Sequence, residues 1–232
     1  MKLVVINPNS TRSMTDKITD AARAVASPGT VVEGRTADGA PASIEGHFDE
    51  VMCAHHLLRE VQRARDEAAD AVVVACFDDP AIGACREVMD GPVLGICEAG
   101  VKAAGMIATS FSVVTTLPRS VPVIEDLVRR YGMADRCRRV RAAAIPVLAL
   151  EQPGSDARAR IRAEILRAIE EDRCEAVVLG CAGMADLTEW LTAECGIPVI
   201  DGVTAATTFA EALVRAGLKT SKIGAYARPI QK

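Results

Sequence analysis

Short apolar runs rich in β-branched residues alternate along this chain with longer stretches whose apolar positions recur at helical spacing. The runs at 2–6, 31–35, 71–75, 93–96, 112–116, 139–145, 176–180 and 198–201 predict eight strands. Most are apolar throughout, as in parallel strands covered on both faces. Helical patterns fall between them at 15–26, 47–69, 82–89, 99–108, 121–131, 156–172, 184–194 and 204–216. Regular alternation of this kind implies βαβ units and open, mostly parallel sheets flanked by helices, an α/β fold.

The pattern also repeats. Asp70-Ala-Val-Val-Val-Ala-Cys76 is echoed by Glu175-Ala-Val-Val-Leu-Gly-Cys181, a separation of 181 − 76 = 105 residues. Pro92-Val-Leu returns as Pro198-Val-Ile, 106 residues on, and Leu3-Val-Val-Ile-Asn-Pro-Asn-Ser10 aligns with Val113-Val-Thr-Thr-Leu-Pro-Arg-Ser120, 110 residues on. Two equivalent halves follow: a first lobe over residues 1–100, completed by a late return of the chain at about 203–232, and a second over 101–202. Ligands of doubly wound sheets bind at the carboxyl ends of strands. Both repeated cysteines fall there, together with the loops 7–10 and 115–120, so four two-fold related loops point at one place.

Composition narrows the chemistry. A net charge of −4 over 232 residues gives no basic stripe for a nucleic acid, and the longest apolar runs, such as 71–77, are too short to span a bilayer. The first residues lack a secretory signal pattern, which points to the cytoplasm and to reduced thiols. Aromatic residues make up 3%, so the core must be built from Val, Ile, Leu and Ala. There is no C-x-x-C pair, no G-x-G-x-x-G and no Walker pattern, so neither zinc, thiol–disulfide exchange nor a nucleotide is indicated. No second ligand cluster accompanies Asp78-Asp79 to make a metal site.

That leaves the thiols. Cys53, Cys85, Cys137, Cys174 and Cys195 lie in or beside helical segments, where cysteine acts as a small hydrophobe. Cys97 follows a strand, but its counterpart 106 residues on is Val203, so the repeat preserves no thiol there. Only Cys76 and Cys181 are each other's equivalents. With Asp79 as N-cap and Pro80 as first helical residue, Cys76 is expected at a helix N-terminus that lowers its pKa; Cys181 enters its helix through the small-residue turn Ala182-Gly183-Met184. Two facing thiols can serve as base on one face of a carbon acid and acid on the other, inverting a carbon next to a carbonyl. Helix-start amides and the hydroxyls of Thr115 and Thr116 are candidate donors for the developing enolate. Asp78 is expected to orient groups in the pocket. Arg119 stands in a ligand-facing loop, suited to a carboxylate or ring carbonyl, or to the plain surface. His47, His55 and His56 read as surface or packing residues, and Gly180, Gly183 and Gly202 as requirements of tight turns.

The segments Ile6-Asn-Pro-Asn-Ser10, Ala75-Cys-Phe-Asp-Asp-Pro80, Gly95-Ile-Cys-Glu-Ala99, Phe111-Ser-Val-Val-Thr-Thr116, Leu179-Gly-Cys-Ala-Gly-Met184 and Thr220-Ser-Lys-Ile-Gly-Ala-Tyr226 resemble the aspartate/glutamate/hydantoin racemase superfamily over the whole chain. The resemblance is nearest to its hydantoin and allantoin racemase branch. It implies two pseudo-symmetric α/β lobes with the active site in the cleft between them, and a catalytic cysteine from each lobe, Cys76 and Cys181. It further implies cofactor-independent racemisation of 5-substituted hydantoins, with allantoin as the alternative substrate, and a homo-oligomer with neither nucleic-acid nor membrane partners. Each cysteine would handle one enantiomer; which one is left open. Asn7, Asn9, Phe77, Asp78, Thr115, Thr116, Ala182 and Gly183 are the residues expected around the ring. Amino-acid racemases of the superfamily carry Cys-Asn-Thr at the first thiol. Cys76-Phe77-Asp78 departs from this, fitting a neutral ring with N–H donors better than an α-carboxylate. Arylmalonate decarboxylases keep one of the two cysteines and maleate isomerases bind a dicarboxylate, so both fit less well. A non-catalytic binding module on the same scaffold would be expected to lose one repeated cysteine, and both are present.

Overall fold

The computed structural model describes residues 1–152 and 154–230. In the first half the chain forms β1 (Lys2–Asn7), α1 (Arg12–Val25), β2 (Val31–Thr36), α2 (His47–Asp66), β3 (Ala71–Val74), α3 (Ile82–Val88), β4 (Val93–Gly95) and α4 (Ile96–Ile107). The second half repeats the order with β5 (Phe111–Thr115), α5 (Val121–Arg130), β6 (Cys137–Ala142), α6 (Ala157–Arg167), β7 (Ala176–Leu179), α7 (Thr188–Cys195), β8 (Val199–Asp201) and α8 (Gly202–Arg215). All pairings are parallel, in two four-stranded sheets ordered β2-β1-β3-β4 and β6-β5-β7-β8. All eight expected strands and helices form, with shifted ends. The helical stretch expected over 156–172 divides into α6 and a wider π-helical turn at Ala168–Asp172.

Register corrects one of the sequence alignments. Leu3 pairs with Ala71 as Phe111 pairs with Ala176, so Phe111 is the counterpart of Leu3 and the offset of the central strands is 111 − 3 = 108 residues, not 110. Asn7 is therefore equivalent to Thr115. The offsets of 105 for β3 with β7 and 106 for β4 with β8 hold, since Val72 pairs with Val93 as Val177 pairs with Val199.

The repeat has physical causes at both ends of its motif. The Asp70 carboxylate accepts the Lys2 N–H at 2.6 Å, and Glu175 accepts the Thr109 N–H at 2.9 Å; each acid ties the start of the motif strand to the strand beside it. A second recurrence was missed in the sequence. Buried Arg35 on β2 and buried Arg141 on β6 lie 106 residues apart, and each is clamped by acids: Glu33 of β2 itself and Glu67 at the end of α2 in one lobe, Glu164 of α6 with Glu171 and Asp172 just after it in the other. A guanidinium shut away from water is tolerated only when paired in this way.

The lobes share one core. Leu3, Val5 and Phe77 of the first half join Phe111, Val113 and Val178 of the second in a single buried cluster, with smaller clusters on the outer faces. The last helix of each half produces this union by crossing over. α4 follows β4 but lies against β7 and β8, while α8 follows β8 but lies against β3, β4 and α1. Where the two helices cross, a Cβ on Gly202 would overlap the carbonyl of Ile96. Gly202 is thus required by close approach and not by a turn, and none of Gly180, Gly183 and Gly202 has positive φ. Among the described residues no helix is long and apolar enough to cross a membrane.

Candidate active site

The carboxyl ends of β1, β3, β5 and β7 converge on one cavity at the junction of the lobes. Asn9, Met14, Ile44, Ala75, Cys76, Phe77 and Asp78 line it from the first lobe, and Thr115, Thr116, Ser120, Val147, Gly180, Cys181 and Ala182 from the second. Both repeated cysteines are there, each in the turn leaving its strand. Of the expected ring-contacting residues, Asn9, Phe77, Asp78, Thr115, Thr116 and Ala182 reach the wall; Asn7 and Gly183 stand behind it. Asn7 braces the loop: its Nδ2 donates to Asn9 Oδ1 at 2.8 Å, and to the Thr11 carbonyl and Thr15 Oγ1 at 3.1 Å each. Thr115 Oγ1 donates to the Gly180 carbonyl at 2.9 Å, tying β5 to the Cys181 turn.

The sequence reading missed Ile44 and Val147, which come from segments with no periodic pattern. They close the cleft from opposite lobes, and the Val147 N–H donates to Glu45 Oε1 at 3.2 Å across it. Enclosure leaves a cavity of about 30 Å³, room for a water or two and far below the roughly 300–1,000 Å³ of ordinary small-molecule sites. Arg119 is exposed, with its guanidinium against Gly46 at the junction of the two lobes. His47 stands on the exposed N-terminal end of α2.

The Cys76 turn corrects two expectations. α3 does not begin at Pro80: it begins at Ile82 behind Ala81, and Asp79 makes no cap to it. Asp79 and Ala81 both hold left-handed backbone, with φ of 44° and 50°. Cys76 therefore does not sit on a helix N-terminus, and its pKa is not lowered. Cys76 is half-buried in the cavity wall, and burial, then the neighbouring Asp78 charge, push its thiol well above its ordinary value. Burial raises Cys181 as well, to about 11, while the Gly183 amide and the Lys17 ammonium hold it back. Asp78 is raised to about 6 by burial and by Glu50. The other cysteines pack as expected. Cys53, for example, sits behind Cys76 among Ala37, Ala40 and Ile44 and donates to the Glu50 carbonyl.

Asp79 turns away from its own helix to the next one. Its carboxylate accepts from the N–H groups of Cys97 at 3.1 Å and Glu98 at 3.0 Å, in the first turn of α4, and from Tyr131 Oη at 2.7 Å. Burial pushes this carboxyl up to about 7 against the pull of the three donors.

Two titratable thiols facing one small enclosed space, with hydroxyls and amides around them, can move a proton off one face of a bound carbon and onto the other. Among the described residues no three His, Cys, Asp or Glu side chains gather to hold a metal.

The family model for Asp/Glu/Hydantoin racemase matches residues 3–210. A hydantoin racemase of Rhizobium meliloti is 51% identical over 229 residues, covering 99% of this chain and 95% of the relative. The allantoin racemase from Klebsiella pneumoniae superposes with a TM-score of 0.98 at 45% identity, covering 100% of this chain and 95% of that one. The allantoin racemase from Pseudomonas fluorescens gives a TM-score of 0.96 at 43% identity, covering 100% and 98%.

Proposed function

The chain belongs to the Asp/Glu/hydantoin racemase family and is a racemase; from that premise we propose that it inverts C5 of 5-substituted hydantoins by two-base chemistry between Cys76 and Cys181. The thiolate of one cysteine removes the C5 proton, giving an enolate delocalised onto the ring carbonyl, and the thiol of the other delivers its proton to the opposite face. The proton taken and the proton given balance, leaving the thiolate on the second cysteine and the enzyme poised for the reverse direction. The observation that carries this reading is the pair of equivalent cysteines, one from each lobe, lining a single cavity.

The environment fits a weak carbon acid. Burial that raises both thiols makes each thiolate, once formed, a stronger base, and water is kept from competing for the proton. Phe77 offers an apolar wall and Asp78 an acceptor for a ring N–H, whereas an anionic α-carboxylate would meet the Asp78 charge. Thr116 and Ser120 bring hydroxyls to the same wall, where they can stabilise the enolate oxygen. A substituted ring is larger than the cavity of about 30 Å³, so binding requires the cavity wall to give.

The test is to incubate one enantiomer of a 5-benzyl- or 5-isopropylhydantoin with the protein and reductant in D₂O. Loss of optical rotation with deuterium appearing at C5, above the uncatalysed rate, is expected. Full retention of rotation and of C5 protium would overturn the reading. Allantoin is the second substrate to consider, because the two solved structures reported above are allantoin racemases; comparing kcat/KM on allantoin and on alkyl hydantoins decides between them.

A further inference from the structure

The two lobes start their crossing helices differently, and the difference leads from the fold to the reactive thiol. α8 is capped by the residue that begins it: Asp201, in extended backbone, accepts the N–H groups of Val203 at 3.1 Å and Thr204 at 2.8 Å. The counterpart of Asp201 is 201 − 106 = 95, a glycine. Gly95 has nearly the same backbone, φ −88° and ψ 144° against −96° and 134°, but no side chain with which to cap. The two equivalent amides of α4, those of Cys97 and Glu98, take the Asp79 carboxylate instead. A Cβ on Gly95 would overlap that carboxylate, so Asp79 fills the space where a cap of Gly95's own would lie.

Asp79 belongs to the Cys76 turn. Its N–H donates to the Cys76 carbonyl at 3.0 Å, and its left-handed backbone is a conformation a non-glycine residue holds only when its surroundings enforce it. Met184, its counterpart beside Cys181, lies in a 3-10 turn without positive φ. We propose that Asp79 is a positioning residue, which uses the first turn of α4 and Tyr131 as an anchor to hold the Cys76 turn, and with it the Cys76 sulfur, in register with the opposing thiol. This rests on the two-cysteine reading above. The anchor spans the lobes: α4 lies on the second sheet and Tyr131 directly follows α5, so Asp79 fixes a first-lobe thiol against second-lobe structure.

The decisive variant moves the cap home. In Asp79→Gly/Gly95→Asp, glycine tolerates the left-handed position and the new Asp side chain enters the vacated space in the geometry of Asp201. The helix regains its cap while the Cys76 turn loses its anchor. The thermal midpoint should stay within a few degrees of the parent, while kcat falls about 10²-fold, the scale of a 1 Å misplacement of a reacting group, with a smaller change in KM. The pH profile of Cys76 alkylation by iodoacetamide should shift and that of Cys181 should not, which a general loss of stability would not produce. Parental kcat and a parental Cys76 profile in the folded double variant would overturn the inference. Should that variant not fold, Tyr131→Phe decides. Removing one anchor donor should lower kcat several-fold and shift only the Cys76 profile, and no change in either would overturn the proposal. Failure of the underlying reading is distinguishable, because it would appear as racemisation surviving in Cys76→Ser, whatever the Asp79 variants do.

Discussion

After Cys76 the chain continues through Phe77-Asp78-Asp79-Pro80, with two left-handed residues before α3 begins; after Cys181 it passes through Ala182-Gly183-Met184 in a relaxed 3-10 turn. The strands feeding the two turns are equivalent in register and the thiols face one cavity. Asp78 and Gly183 are counterparts at the 105-residue offset: the Asp78 carboxylate is the foremost charge raising Cys76, while at Cys181 the Gly183 amide offsets burial ahead of the weaker push from Asp78. Lys17, which ion-pairs with Glu151 at 2.8 Å, favours charge on Cys181 alone. Duplication has kept the thiols and the strands while the ground around each sulfur diverged. This is intelligible for a racemase: its chemistry must run both ways, but nothing requires the two half-sites to be electrostatic copies.

The largest effect should come from deleting either thiol. Cys76→Ala and Cys181→Ala should each cut kcat by about 10²–10⁴-fold, the usual scale of an acid–base group, because on the proposed two-base chemistry each turnover needs both. A single variant retaining more than a tenth of parental racemisation would break the equivalence of the two. Both variants should fold, since a cavity-wall sulfur carries less packing than a core residue such as Phe111, whose truncation would cost about 3–5 kcal/mol.

A smaller effect sharpens the electrostatic contrast. Both thiols titrate above their ordinary value, so at neutral pH the thiolate is the minor form and grows about tenfold per pH unit below the pKa. Between about pH 6.5 and 8.5 kcat/KM should therefore rise, and a flat profile would contradict raised thiols. Asp78, raised to about 6, is ionised over that range and opposes charge on Cys76. Asp78→Asn should thus speed Cys76 alkylation at pH 8, and Cys181 alkylation by less, since Asp78 is the foremost charge acting on Cys76 and a lesser one on Cys181. In the parent, peptide mass mapping should find Cys181 modified before Cys76; the opposite order would reverse the assignment of the stronger perturbation to Asp78.

What the sequence disclosed and what it withheld divide along range. Apolar runs and helical spacing are local, and they placed every strand and helix of the two sheets. The acid–Ala-Val-Val–Cys echo survives because Asp70 and Glu175 must each tie down a neighbouring strand and because the strand between is buried on both faces. The role of Asp79 was not legible: an Asp-Pro pair before a helix reads locally as a cap, and the amides it serves lie 18 and 19 residues on, across a turn no short-range rule sees. Ile44 and Val147 were hidden for the same reason, since they enter the site from irregular segments positioned only by the meeting of the lobes. The Arg35 and Arg141 clamps could have been found by applying the offsets already in hand to the charged residues.

The smallest effect separates the two caps. Asp201 and Asp79 each accept two N–H groups at the start of a crossing helix, and among the described residues the side-chain hydrogen bonds of Asp201 stay within its own helix. Asp201→Ala leaves the Val203 and Thr204 amides without their acceptor, at a cost of about 1–2 kcal/mol. For a chain of this length that is a fall in the thermal midpoint of roughly 2–4 °C per kcal/mol. Cys76 alkylation and kcat, measured well below that midpoint, should stay within about twofold of the parent, since a lost cap acts on helix stability and not on the thiol. If Asp201→Ala instead lowered kcat as far as loss of the Asp79 anchor does, both caps would act only by steadying the helices on which the lobes meet. The contrast between a cap that serves its own helix and one borrowed from a reactive turn would then fail.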